Sequence, residues 1–82
     1  MLIEVFGTGC KKCKQLEERA QEALDELKIT ADVMKVTDMV RIVERGIMRT
    51  PGLAINGQIV KQGQVPSLDD MKALISQYTG ES

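Results

Sequence analysis

The run Leu2-Ile3-Glu4-Val5-Phe6-Gly7-Thr8-Gly9-Cys10-Lys11-Lys12-Cys13 holds the only two cysteines of an 82-residue chain. Its first half is short and apolar with β-prone side chains, as in a buried strand. From Lys11 to Lys28 the apolar residues return at helical spacing. Leu16, Ala20, Ala23, Leu24 and Leu27 share one stripe, and Glu17, Glu18, Gln21, Glu22, Asp25 and Glu26 fill the other face. The cysteine pair therefore falls at a strand-to-helix junction, with Gly7 and Gly9 letting the backbone turn tightly into the helix. A thiol placed there meets the unpaired N–H groups and the positive end of the helix dipole, which favour its thiolate.

The spacing separates the two thiols. On a helix of about 3.6 residues per turn, Cys13 points within about 20° of Ala20 and Leu24, with the core stripe. Cys10 sits at the cap, outside that stripe, open to solvent and to a partner. One turn apart, the pair is close enough to bridge. An exposed thiolate that attacks a partner disulfide, beside a shielded thiol that resolves the mixed disulfide, is what a dithiol exchange cycle requires. Lys11 and Lys12 each add roughly a few tenths of a kcal/mol in favour of the Cys10 thiolate. The helix terminus adds about 0.3–1 kcal/mol. The expected Cys10 pKa thus lies below that of a free cysteine.

Composition narrows the remaining classes. The length fits one domain, and 43% apolar residues is ordinary for a folded chain. One Phe, one Tyr and no Trp leave an aliphatic core and no stacking platform for bases. A net charge of −1 supplies no basic field for a phosphate backbone, so no nucleic-acid partner is expected. The absence of histidine removes Cys-His and Ser-His nucleophile pairs and His-ligated metal sites. The first residues enter a strand pattern with no leader-like segment, and no apolar run is long enough to span a bilayer. A cytoplasmic protein without a membrane partner is expected, and there a close cysteine pair is catalytic or metal-binding more often than structural.

The rest of the chain orders itself by the same signals. Residues 1–6 and 31–36 read as strands and Asp38 to Arg45 as a short helix, capped by Thr37 or Asp38 and ended by Gly46. Residues 47–52 form a loop. Residues 53–55 and 58–61 are strands joined by Asn56-Gly57, whose two positive-φ positions suit a type I′ turn. Ser67 caps a last helix through about Tyr78, with Leu68, Met71, Leu74 and Ile75 inward. The tail 80–82 is expected to fray. The order β-α-β-α-β-β-α, with a parallel first crossover, gives an α/β fold: a four-stranded mixed sheet with three helices flanking both faces.

Three other uses of such a pair are open. A structural disulfide closing so short a loop constrains the unfolded chain by only about 2 kcal/mol. A soft-metal site is a stronger rival, because Gly7-Thr8-Gly9-Cys10-Lys11-Lys12-Cys13 resembles the site of small copper(I) and zinc carriers. Those domains run β-α-β-β-α-β, however, their usual Met is Thr8 here, and two thiolates alone do not complete a tetrahedral zinc site. A dimer sharing four thiolates would complete one, so a metal carrier stays a rival reading, while no resident metal is expected. A redox-sensing interaction domain is the third reading.

Cys10-Lys11-Lys12-Cys13 together with Thr50-Pro51-Gly52 and the late hairpin resembles the thioredoxin-fold superfamily, most closely its small, glutaredoxin-sized, redox-active disulfide members. The resemblance covers nearly the whole chain in element order. It implies a thiol–disulfide oxidoreductase with Cys10 and Cys13 catalytic and no cofactor, reducing disulfide-containing proteins and recharged by a separate reductase of the thioredoxin-reductase type. It implies that Pro51 is cis and that the backbone of Thr50 pairs with an extended partner chain. The chain departs from the family in having Lys11-Lys12 between the cysteines, Gly9 in place of a tryptophan, and no candidate for the buried aspartate that accepts a proton in thioredoxin. Glu4, in the first strand, reads as edge-exposed as readily as buried. The aromatic of glutathione sites is missing near Gly63 and Ser67 to Asp70, so glutathione use is not expected. Lys11, Lys12, Lys14, Arg45 and Arg49 are candidates for a basic rim, with Lys11 and Lys12 as partner contacts. Ile47 and Met48 read equally as a contact strip or as core.

Overall fold

A computed structural model describes residues 1–9 and 11–78. The expectations that Cys10 is solvent-open and that the tail 80–82 frays lie outside the described residues. The elements are β1 (Leu2–Phe6), α1 (Lys11–Leu27), β2 (Asp32–Val36), α2 (Met39–Glu44), β3 (Gly52–Ile55), β4 (Gln58–Gln62) and α3 (Leu68–Tyr78). The sheet order is β2-β1-β3-β4, with β1 parallel to β2 and antiparallel to β3, and β3 antiparallel to β4. This is the mixed α/β architecture expected from the sequence, with boundaries within a residue or two. No helix among the described residues is long and apolar enough to cross a membrane.

Side-chain alternation divides the sheet into two packed faces. Ile3, Val5, Leu53 and Ile55 bury against Leu16, Ala20, Ala23 and Leu24 of α1 and Met71 and Ile75 of α3. Phe6 and Ala54 turn the other way and bury with Ile42 of α2 and Ile47. α1 and α3 thus share one face and α2 covers the other.

Helix ends follow local chemistry. Asp38 caps α2, its carboxylate accepting from the Val40 N–H at 3.0 Å, and Ser67 Oγ accepts from the Asp70 N–H at 3.1 Å at the start of α3. Both α1 and α2 end in a Schellman arrangement. After α2 the left-handed position is Gly46, whose N–H donates to Val43 C=O while Ile47 N–H donates to Ile42 C=O. After α1 that position is Lys28, at φ +58°, with matching bonds from Lys28 to Asp25 and from Ile29 to Leu24. Lys28 therefore lies just beyond the helix rather than inside it. At the hairpin Asn56 and Gly57 both have positive φ, and the Asn56 side chain accepts from the Leu2 N–H at 2.9 Å.

Candidate active site

The chemistry-bearing loops leave the sheet at one end. β1 finishes at Phe6, and Gly7 N–H donates to Val36 C=O at 3.0 Å, prolonging the parallel pairing by one bond. The chain turns through Gly9, at φ +89°, and α1 begins at Lys11. Phe6 is registered opposite Gly52, the first residue of β3. The segment before β3, with Thr50 and Pro51, therefore abuts the end of the sheet from which the cysteine loop departs.

Cys13 lies in the first turn of α1. It is 6% exposed and disulfide-bonded, in line with its position on the core stripe. Gly7 serves it differently from the sequence expectation. Its φ is not in the left-handed region, where Gly9 does sit, so the need for glycine at residue 7 is one of space. A Cβ on Gly7 would run into Cys13 Sγ and stand 3.0 Å from Cys13 Cβ. Gly9 alone of the two performs the turn assigned to both.

The Thr50–Pro51 bond is cis, as the resemblance implies. Pro51 is fully buried and Thr50 exposed. Bonds from the end of β4 fasten this segment: Gly63 N–H donates to Pro51 C=O at 2.7 Å, and the Gln62 side-chain oxygen accepts from the Met48 N–H at 2.8 Å. Ile47 and Met48 part company. Ile47 is buried, packed so close to Gly52 that a Cβ there would stand 2.8 Å from its Cδ1, whereas Met48 is 90% exposed.

Lys11, Lys12, Lys14 and Arg49 are all exposed. Arg45 is not part of that rim. Its guanidinium donates to Glu4 Oε2 at 2.9 Å, lies 5.1 Å from the centre of the Phe6 ring, and reaches Gly57 C=O at the hairpin, toward the opposite end of the sheet. The hydrogen bond from Arg45 to Glu4 raises the arginine pKa above its ordinary value. Glu4 is likewise not an edge residue: β1 is an interior strand, and the Glu4 side chain is 12% exposed. It shares the Phe6 face of the sheet, opposite α1, so the sheet itself separates its carboxylate from Cys13.

On the α1 side a pocket of about 90 Å³ borders Cys13, lined also by Val5, Gly7, Thr37, Glu17 and Lys35. Glu17 Oε1 and Lys35 Nζ stand 3.6 Å apart at its wall. Glu17 is thus not on the polar face away from the core stripe, where the sequence reading sets it, and Lys35 carries no sequence-level signal. The available signal was spacing, since Glu17 follows Cys13 by four residues on a helix and shares its side.

Residues 1–76 match the thioredoxin domain family. The chain is 41% identical over 76 residues to a thioredoxin of Methanothermobacter thermautotrophicus, covering 93% of this chain and 99% of that protein. It is 41% identical over 78 residues to a thioredoxin of Methanocaldococcus jannaschii, covering 95% and 90% respectively.

Proposed function

Because the chain belongs to the thioredoxin domain family and is a thiol–disulfide oxidoreductase, we propose that it reduces disulfides of partner proteins through Cys10 and Cys13. The Cys10 thiolate attacks one sulfur of the partner disulfide and releases the other as a thiolate. Cys13 then loses its proton, attacks the Cys10 sulfur of the mixed disulfide, and frees the second partner sulfur, which takes up a proton. Two electrons pass to the partner, and the protein is left with an intramolecular disulfide. A separate reductase of the thioredoxin-reductase type returns the electrons, and no cofactor is held. Thr50 and Pro51 shape the groove for the partner chain, Lys11 and Lys12 stabilise the thiolate and face the partner, and the setting is cytoplasmic.

The observation that supports this reading most directly is the state of Cys13: a buried, disulfide-bonded sulfur in the first turn of a helix that starts at the sheet end abutted by Thr50 and Pro51. A sheltered second thiol is suited to resolving a mixed disulfide and poorly suited to attacking a macromolecular one.

The test is reduction of insulin with dithiothreitol as electron source. The wild-type protein should accelerate it catalytically, Cys10→Ser should abolish the acceleration, and Cys13→Ser, reduced and then freed of dithiothreitol, should accumulate a mixed disulfide with insulin. Turnover at the wild-type rate by Cys10→Ser would refute the assignment. A protein that cycles its own disulfide without turning over insulin would be a redox sensor instead.

A further inference from the structure

Met48 is the most exposed large hydrophobic residue of the described chain, at 90%, yet the backbone around it is held at several points. Ile47 beside it is buried and donates its N–H to Ile42 C=O at 3.2 Å. The Met48 N–H itself is bonded to Gln62 Oε1, and Pro51 C=O is bonded to Gly63 N–H. The Arg49 side chain crosses Gly63, where a Cβ would stand 3.2 Å from Arg49 Cβ and Cδ. The loop is thus fastened to the end of β4, and the exposure of Met48 comes from a fixed backbone that presents it.

Building on the dithiol reading above, we propose that Met48 is a specificity contact for protein disulfides, taking an apolar side chain close to the partner's cysteine, and that Gln62 is the positioning residue that holds it. Met48 stands two residues before Thr50, so a partner segment lying along Thr50 passes it. A methionine side chain is flexible and polarisable and fits apolar groups of differing shape, which suits an enzyme serving several partners. Gln62 acts at a distance: its amide oxygen fixes the Met48 backbone and its role needs no contact with the partner. A small disulfide has no flanking chain and gains nothing from either residue.

The experiment compares second-order rate constants for insulin and for a small aromatic disulfide in wild type, Met48→Ser, Gln62→Leu, Gln62→Glu and Met34→Ser. The insulin-to-small-disulfide ratio should fall about fivefold in Met48→Ser and Gln62→Leu, through KM rather than kcat, as expected for loss of a modest apolar contact. Gln62→Glu keeps an acceptor oxygen and should retain most of the ratio. Met34, exposed on the edge strand β2 at the opposite side of the sheet from β4, should leave the ratio unchanged when replaced by serine. An unchanged ratio in Met48→Ser, or an equal fall in Met34→Ser, overturns the proposal. A wild-type protein that reduces the small disulfide but not insulin overturns it while leaving the dithiol chemistry intact. Failure on both substrates sinks the functional reading and this inference with it.

Discussion

Gly7→Ala tests whether the site is limited by space around one sulfur. The backbone at Gly7 is not in the left-handed region, so alanine brings no conformational penalty of its own and the cost is steric. The new methyl would overlap Cys13 Sγ and crowd Cys13 Cβ at 3.0 Å. Cys13 cannot retreat freely, because it is buried and its backbone is fixed in the first turn of α1. Overpacking of this kind costs about 1–3 kcal/mol. A central value near 2 kcal/mol corresponds to a roughly 30-fold shift of the folding equilibrium, and for a domain of this size to a fall in Tm of about 8–16 °C. Urea unfolding under reducing conditions measures it without the crosslink. A four-member cycle with Cys13→Ala isolates the cause: removing the sulfur should recover more than half of the penalty, leaving the share due to the Cβ–Cβ approach. The reasoning is refuted if Gly7→Ala lies within about 0.5 kcal/mol of wild type. It is equally refuted if the full penalty persists in the Cys13→Ala background.

Other substitutions probe separate links. Lys28→Gly should stabilise the protein by about 0.5–1 kcal/mol in urea unfolding, because glycine occupies the left-handed position after α1 without the clash of a Cβ. Asn56→Ala should destabilise by about 1–2 kcal/mol, since it removes both the side-chain bond to the Leu2 N–H and a residue that tolerates positive φ. Met71→Ala, in the α1–α3 face of the core, should cost about 2–5 kcal/mol and loosen α3, read as faster amide exchange along that helix. Lys11→Glu together with Lys12→Glu should raise the Cys10 pKa, shifting the pH profile of iodoacetamide alkylation upward; an unmoved profile would leave the helix terminus as the sole source of thiolate stabilisation.

The fold was legible in this chain because its signals are local. The period of Leu16, Ala20, Ala23 and Leu24, the Asn56-Gly57 dipeptide, and the caps at Asp38 and Ser67 each act through neighbours a few residues away. The same spacing aims Cys13 at the core, where it is found buried. Glu4 was ambiguous for the opposite reason. Whether an acid in a strand faces solvent depends on where that strand lies in the sheet, and strand order is a non-local property. With β1 between β2 and β3, the Glu4 side chain is mostly buried and needs a partner, and Arg45, 41 residues away, supplies it.

By itself the sequence determined the element types, the dithiol at a strand-to-helix junction and the direction of its second sulfur, because helix period and capping are written in short runs of residues. Tertiary packing decided that Gly7 exists to make room for Cys13, that Arg45 serves Glu4 rather than the rim, and that Ile47 turns inward while Met48 is held outward by Gln62. Each of those outcomes is a contact between segments far apart in the chain, set by how closely the sheet and helices approach one another, and no spacing within either segment specifies it.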